Sequence, residues 1–255
     1  MRALIAAWLI AAALPAQAGR NCEARPPDAD TVVRAMDLAG RTARALDATG
    51  ADVVVLARAG QDLRKYRLRY SHLGLAYRDG GTWRVLHKLN HCGSARADLF
   101  RQGLGEFFLD DLFEYQAGFA IPSADVQAHL LPLLRDNARA TRLHTPAYNM
   151  LAYPWATSYQ QSNQWAIETL ASAQDPSATS RQRAQDWLQA QGYEPTTLNI
   201  GALTRLGARA TAANIAFDDH PNSKRFSDRI ETVTVDSVFA WLERSGLSAP
   251  MQVVR

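Results

Sequence analysis

The chain has 255 residues and a formal net charge of +3, with 47% hydrophobic and 21% charged residues. This composition is that of an ordinary globular protein, and it excludes a disordered or collagen-like chain. Basic residues are scattered apart from one local cluster between Arg64 and Arg69. The charge pattern therefore argues against nucleic acid as a partner.

The first 18 residues have the pattern of a secretory signal peptide. Arg2 provides a positive start, residues 3–14 form an apolar run, and Ala16-Gln17-Ala18 matches the small-residue pattern of a cleavage site. The run is too short for a membrane-spanning helix, and no second long apolar stretch follows it. We therefore expect a soluble periplasmic protein that begins near Gly19. An uncleaved anchor is the alternative.

Cys22 and Cys92 are the only two cysteines. In an exported protein, two cysteines most simply form one disulfide, which would close a long loop and stabilise the fold by roughly 2–4 kcal/mol. Two alternatives remain open. Cys92 could be a nucleophile beside His91, or His87, His91 and Cys92 could bind zinc, although a clear fourth ligand and the usual paired-cysteine spacing are missing.

The N-terminal part of the predicted domain contains one helix and one buried strand. Apolar residues recur with helical spacing over residues 28–48, after two prolines and before Gly50. The continuous apolar run that follows predicts a buried strand over residues 52–59.

Residues 70–87 are predicted to form a β-hairpin. Apolar side chains alternate with His72 and Gly74, which is the period of a half-buried strand. Asp79-Gly80 is a strong hairpin signal because a type I′ turn needs positive φ at both central residues. With these two residues as the loop, His72 lies directly opposite His87, with Cβ atoms roughly 5 Å apart. Two imidazoles beside small residues indicate an active site. The alternative is a buried histidine pair whose hydrogen bonds are satisfied within the protein.

The rest of the chain is predicted to contain further helices and short strands. Helices are expected over residues 98–110, 123–139, 162–171, 181–191, 198–213 and 238–244, and strands over 113–121, 215–217 and 230–235. Pro132 should kink or divide its helix. Asp218-Asp219-His220 is expected to be a solvated turn, and His129 and His144 are expected to have no catalytic role.

The predicted helix that begins at Ser162 could perform catalysis together with the histidine hairpin. A helix N-terminus carries unpaired N–H groups and a partial positive charge, which can stabilise an oxyanion. A neighbouring histidine would take the proton of a nucleophile, and a second polar group would orient that histidine. The aromatic stretch before this helix either lines a pocket or covers the core, and its members are Tyr148, Tyr153, Trp155 and Tyr159.

This combination of motifs resembles the circularly permuted papain-like domains of the NlpC type, which include the lecithin:retinol acyltransferase-like proteins. The resemblance rests on Ser71-His72-Leu73-Gly74-Leu75, a turn, and a second histidine on the next strand. It implies an α+β fold in which an antiparallel sheet packs against helices. It also implies a single such domain over residues 19–255, with N- and C-terminal extensions.

The same resemblance implies roles for individual residues. His72 matches the catalytic base, and His87 matches the residue that orients it. Ser162 in Gln161-Ser162-Asn163-Gln164-Trp165 takes the position of the nucleophile. The N–H groups near Asn163 would then form an oxyanion hole.

The chain is also similar, over its whole mature length, to an uncharacterised family of exported bacterial domains. The segments that carry this similarity are Phe107-Phe108, Ala152-Tyr153-Pro154, Asn163-Gln164-Trp165, Phe217-Asp218-Asp219-His220-Pro221 and Thr234-Val235-Asp236-Ser237-Val238.

Ser162 departs from the permuted papain-like pattern, in which the nucleophile is a cysteine. A serine hydroxyl is far less acidic than a thiol, so a resting thiolate–imidazolium pair cannot form, although His72 could still act as a general base. Serine is also a preferred helix N-cap residue, worth about 1 kcal/mol in that structural role.

Two functions are therefore expected. One is a hydrolase or acyl transferase that acts on amide or ester bonds of an envelope peptide, lipid or peptidoglycan component. The other is an inactive binding or scaffold domain that uses the same cleft. Neither function requires a metal or another cofactor.

Overall fold

The structure is a computed structural model that describes residues 26–110 and 112–255. The helices in this part of the chain are α1 (Ala29–Asp47), α2 (Leu104–Phe108), α3 (Ala124–Arg135), α4 (Asn137–Thr141), α5 (Ser162–Gln174), α6 (Arg181–Ala190), α7 (Ala202–Thr211), α8 (Asn222–Arg225) and α9 (Val235–Arg244). The strands are β1 (Val53–Ala59), β2 (His72–Asp79), β3 (Thr82–Asn90), β4 (Ala97–Gly103), β5 (Glu114–Ala120), β6 (Thr196–Asn199), β7 (Arg229–Thr232) and β8 (Gln252–Val254). The predicted signal peptide and Cys22 lie outside the described residues.

Six strands form an antiparallel sheet in the order β4-β3-β2-β1-β5-β8, and β6 pairs with β7 in a small second sheet. The protein therefore has the mixed α+β architecture that the sequence predicts. In the described part of the chain, no helix combines the length and apolarity needed to cross a bilayer.

Helices cover both faces of the central sheet. The α1 face is the one whose core includes Val54, Leu56, Val85, Leu38 of α1 and Phe107 of α2. The α5 face is the one whose core includes Val55, Leu73, Leu75, Trp165 of α5 and Leu130 of α3. Every residue of β1 is buried, which agrees with the apolar run at its start and also applies to Arg58 near its end.

The β2–β3 hairpin forms, but in a register two residues away from the predicted one. Asp79 pairs with Thr82, so the loop is Gly80-Gly81 rather than Asp79-Gly80. The two glycines have φ values of +56° and +84°, which glycine adopts at less cost than aspartate. His72 and His87 are therefore not directly opposite each other. Since a shift of two residues keeps each side chain on its face, the two imidazoles still share one face.

The predicted helix over residues 98–110 is wrong for its first half. Residues 97–103 form β4, which pairs with β3 along its whole length and places Phe100 opposite His87. Only residues 104–108 are helical. β4 is an edge strand with partly exposed residues, so its sequence lacks the clear alternation that identifies a strand.

The predicted helix over residues 123–139 is divided, but not at Pro132, which lies inside α3. The break is at Asp136, whose backbone is extended and whose side chain accepts hydrogen bonds from the N–H groups of Ala138 and Arg139. A good N-cap residue therefore ends one helix and starts the next.

The C-terminal third differs from prediction at several boundaries. Residues 196–199 pair with residues 229–232, so the helix predicted from residue 198 begins only at Ala202. The predicted strand over residues 215–217 does not form, and β8 was not predicted. The last helix begins at Val235, three residues before its predicted start. Its N-cap residue Thr234 forms a capping box with Ser237.

Gly74 allows the close contact between β2 and β3 beside the histidines. A Cβ atom at this position would lie 2.6 Å from Val85 Cγ1 and 3.0 Å from His87 Cβ. We expect Gly74→Ala to lower the free energy of unfolding by about 1–3 kcal/mol because it overpacks the core. Urea unfolding would measure this loss.

A matched control is Gly207→Ala in α7, where an added Cβ would have no neighbour within 4 Å. This change should be neutral or stabilise the protein by up to about 1 kcal/mol. In a Val85→Ala background the cost of Gly74→Ala should shrink, since the clashing methyl group is gone. An equal cost in both backgrounds would contradict the assigned contact.

Candidate functional site

The histidine pair is the centre of the candidate site. His72 Nε2 lies 2.9 Å from His87 Nδ1, and His87 Nε2 lies 2.7 Å from Oε1 of Gln102 on β4. An amide oxygen only accepts hydrogen bonds, so His87 carries its proton on Nε2 and accepts at Nδ1 from His72. Nδ1 is then the basic nitrogen of a neutral His72.

Aromatic and charged side chains enclose this pair on the α1 face. The Phe107 ring centroid lies 6.0 Å from that of His72 and 5.2 Å from that of His87. The buried guanidinium of Arg58 lies over the Phe107 ring, donates to the Phe107 carbonyl and pairs with Asp110 at 2.8 Å. A permanent cation therefore stands beside the buried imidazole of His87 and the half-buried His72.

This environment keeps both imidazoles neutral. Burial lowers the pKa of His87 from 6.5 to about 3, and the nearby charge of Arg58 adds to the effect. Burial also holds the pKa of His72 well below its usual value, again with Arg58 as the second cause. Imidazoles with such low pKa values are weak proton acceptors at neutral pH.

Ser162 is the first residue of α5 and not its cap, which corrects the prediction. The cap is Gln161, whose side chain accepts a hydrogen bond from the N–H of Asn163 at 3.3 Å. The Ser162 side chain lies beside that of Tyr148 and opposes the rise in the pKa of Tyr148 that burial causes. Both Ser162 and Asn163 are buried.

Asn163 attaches the start of α5 to β2. Its Oδ1 accepts from the Leu73 N–H at 3.1 Å, and its Nδ2 donates to the Val233 carbonyl at 3.3 Å. The predicted helix start thus lies beside the residue that follows His72. The Asn163 N–H, predicted to serve an oxyanion hole, is already bonded to Gln161.

The structure brings His72 and His87 together, but their side chains project from the α1 face. Helix α5 packs on the opposite face, where the apolar side chains of its first turns contact the alternate residues of β2. Ser162 therefore belongs to a different layer from the two rings. Its role as a nucleophile stays a prediction.

The four aromatic residues of the predicted pocket do not form one wall. Tyr148 is buried against Ser162, and Trp155 packs on the α5-face core beside Tyr193. The other two contact the 218–220 loop: the Tyr153 N–H donates to Asp219, and the Tyr159 hydroxyl donates to Asp218. Trp155 therefore covers the core, and a ligand pocket lined by these aromatic residues stays a prediction.

The 218–220 loop is not a solvated turn. His220 is buried, and its two ring nitrogens lie 3.0 Å from Asp219 Oδ1 and 2.9 Å from the Glu231 carbonyl oxygen. The Asp219 side chain is also almost fully buried. The bond to Glu231 connects the loop to β7.

A second buried polar cluster lies on the α5 face and was not predicted. The Lys88 ammonium donates to the Thr145 carbonyl at 2.6 Å and to Gln160 Oε1 at 2.9 Å. Gln160 donates to Glu168, which also pairs with Arg181 at 2.8 Å. Burial, followed by the charge of Arg181, lowers the pKa of Lys88 to about 7.

Sequence reasoning missed three residues around the histidines. Arg58 had a usable signal, because it is the one charged residue in an otherwise apolar strand. Gln102 was hidden by the incorrect first half of the helix over residues 98–110, and Phe107 was predicted as helical with no link to the histidines. Recognising β4 would have placed Gln102 on the same face as its cross-strand neighbours.

The described residues contain no group of three or more His, Cys, Asp or Glu side chains arranged to hold a metal ion. Of the alternative zinc ligands, His87 is bonded to His72 and Gln102, and His91 is bonded to Asp98 at 2.7 Å. The predicted disulfide depends on Cys22, which lies outside the described residues.

The low pKa of His87 predicts how stability depends on pH. Unfolded histidine binds a proton below about pH 6.5, whereas folded His87 binds one only near pH 3. Stability is therefore complete above pH 6.5 and falls toward pH 3 by up to about 1.4 kcal/mol per pH unit for this group. His87→Gln should reduce this slope between pH 6.5 and 5 in urea unfolding.

The matched control is His129→Gln, which makes the same substitution at an exposed position on α3. NMR of the wild-type imidazoles gives a second readout that does not depend on a variant folding. The His87 ring should remain neutral at pH 5, and titration near pH 6.5 would refute the assignment.

Comparisons with known proteins add a family and one distant structural likeness. No curated protein gives a significant match. A solved structure, described as the metalloprotein yiiX from Escherichia coli O157:H7 (DUF1105), shares 10% identity over 80% of this chain and 96% of its own, with a TM-score of 0.44. This similarity is too weak to assign a fold family or a function to the chain. The model of DUF2145, described as an uncharacterized protein conserved in bacteria, matches residues 45–242. The match spans more than half of the chain, which therefore belongs to this bacterial family.

Proposed function

We propose that this protein is a non-catalytic binding or scaffold domain of the bacterial cell envelope, built on a permuted papain-like core of the NlpC type. The order of elements supports such a core. A strand that starts with His72 is followed by a strand that carries His87, and a later helix packs on the same sheet. That helix starts at Ser162, beside the backbone of β2.

One observation carries the non-catalytic part of the proposal. The imidazoles and the predicted nucleophile belong to opposite faces of the sheet, and the imidazoles have hydrogen-bond partners on their own face. A general base must come within hydrogen-bond reach of the proton that it removes. The hydrogen bonds on both sides serve to hold the fold.

Electrostatics supports the same proposal. The guanidinium of Arg58 and the burial of both rings disfavour the imidazolium that a working base would become. At the start of α5, the N–H group best placed to stabilise an oxyanion is bonded to Gln161. The chain has the histidine and serine residues that a serine hydrolase uses, but they lie on different faces of the sheet.

The envelope location rests on the sequence. Residues 1–18 match a secretory signal peptide, and a Cys22–Cys92 disulfide would suit an oxidising compartment. A periplasmic binding or scaffold domain would meet envelope peptides, lipids or peptidoglycan components, and we propose a partner from among these.

A serine-directed fluorophosphonate probe tests the absence of catalysis. We expect the wild-type protein to show no labelling beyond that of Ser162→Ala, because Ser162 is buried and lies on the opposite face of the sheet from the imidazoles. In Ser162→Cys, the new thiol should react with iodoacetamide only after unfolding.

Ser223→Cys is the matched control, since Ser223 is exposed on α8 and its thiol should react in the folded protein. Stoichiometric probe labelling that disappears in Ser162→Ala would establish the hydrolase or acyl transferase instead. Rapid alkylation of Ser162→Cys in the folded state would also contradict a closed site.

Export has its own test. The protein recovered from the periplasm should begin near Gly19 and should contain a peptide in which Cys22 is joined to Cys92. Mass spectrometry of the intact chain and of an unreduced digest measures both. A chain that retains Met1 in the cytoplasm would refute the envelope location.

A further inference from the structure

Helix α7 is an element without a buried residue. Leu203 is 86% exposed and Leu206 is 68% exposed, although both are large and apolar. Helices of ten residues are not stable in water by themselves. Arg205 connects α7 to the rest of the protein, because its guanidinium donates to the Ile200 carbonyl and to Asp228 at 2.5 Å.

The side of α7 that faces away from the protein is apolar. Leu203, Leu206 and Ala210 share one side by their helical spacing, and Arg205 lies on the other. Since Arg205 holds the helix to the body, the leucines point outward. Phe226, two residues before the ion-pair partner Asp228, is 72% exposed.

The chain around these apolar side chains is basic. Residues 202–229 contain five basic and three acidic residues, and residues 61–69 contain four basic residues and one acidic residue. The two segments are neighbours, because Tyr66 and Leu68 pack against the small core formed by Leu198, Ile200, Phe217 and Ile230. Their combined excess of positive charge exceeds the net charge of +3 of the whole chain.

A cavity adds a place for an anionic group. Its volume is about 400 Å³, and its lining includes Arg64, Arg67, Arg69 and the partly exposed Phe113, together with Glu114. Arg64 also pairs with Asp62, and Arg69 donates to Gln116. The cavity thus presents guanidinium groups beside an aromatic ring.

We propose that these features form one membrane-docking surface, the α7 surface, which binds the face of an anionic lipid bilayer. It consists of Leu203, Leu206 and Phe226 with the basic segment 61–69. The apolar side chains enter the interface between headgroups and acyl chains, while the basic residues lie against lipid phosphates. Charge complementarity selects an anionic bilayer over a neutral one. The proposal goes beyond the envelope function above and does not need the histidine site.

Vesicle co-sedimentation tests this surface with the full protein as recovered after export. We expect binding to vesicles that contain phosphatidylglycerol, little binding to vesicles of phosphatidylcholine alone, and loss of binding as salt rises. Leu203→Ser combined with Leu206→Ser should weaken partitioning by roughly tenfold or more, since two apolar side chains no longer enter the bilayer. Arg67→Glu should also weaken it.

The matched control is Val33→Ser on α1, which changes another side chain that is 58% exposed and should leave binding unchanged. All of these residues are exposed, so circular dichroism and thermal unfolding should show folded variants. Equal binding of the double variant and the wild type would overturn the proposal, as would equal binding to both kinds of vesicle. Self-association that the double variant abolishes, without vesicle binding, would assign the surface to a second copy of the chain.

Discussion

The central sheet is covered by helices on both faces, and this constraint governs the rest of the molecule. Neighbouring residues in β2 must enter different layers because strand side chains alternate. His72 therefore lies with α1 and α2, while Leu73 lies with α5. A motif that is continuous in sequence is divided between two sides of the protein.

Covering both faces also means that polar side chains of the sheet must find partners inside the protein. An unpaired polar group away from water costs stability, and two buried sets of hydrogen-bonded side chains show how the sheet avoids much of this cost. On one face His87 is bonded to His72 and Gln102. On the other, Lys88 is bonded to Gln160, which in turn reaches Glu168. Such sets hold particular strands and helices in one arrangement.

The sequence predicts those features that depend on interactions between residues close together in the chain. The buried strand, the hairpin and the α+β class follow from periodicity and turn chemistry, and the meeting of His72 with His87 follows from alternation even though the register differs by two residues. To predict whether Ser162 meets the two histidines, one must also know on which face of the sheet α5 packs. That choice depends on long-range packing, which neither the Ser162 motif nor its spacing from His72 encodes.

Errors at β4 and β6 have a similar origin. Both strands form because a partner strand offers hydrogen bonds. Their own residues are too mixed in polarity to show the alternation that identifies a strand. Gln102 was lost from the predicted site for this reason. Arg58 illustrates the opposite case, since a charge inside an apolar strand requires a partner, and the strand sequence alone could have raised that question.

The ion pair between Glu168 and Arg181 has a consequence for how the chain can vary. It joins α5 to α6 across a short exposed connection that ends at Ser180, and both side chains are buried. Removing one partner of such a pair leaves an uncompensated charge in the interior. Surface connections normally accept insertions, but this one contains the buried Ala178 and ends directly before Arg181, which must stay within reach of Glu168. Among homologous chains, this connection should therefore keep a constant length while its exposed residues change freely.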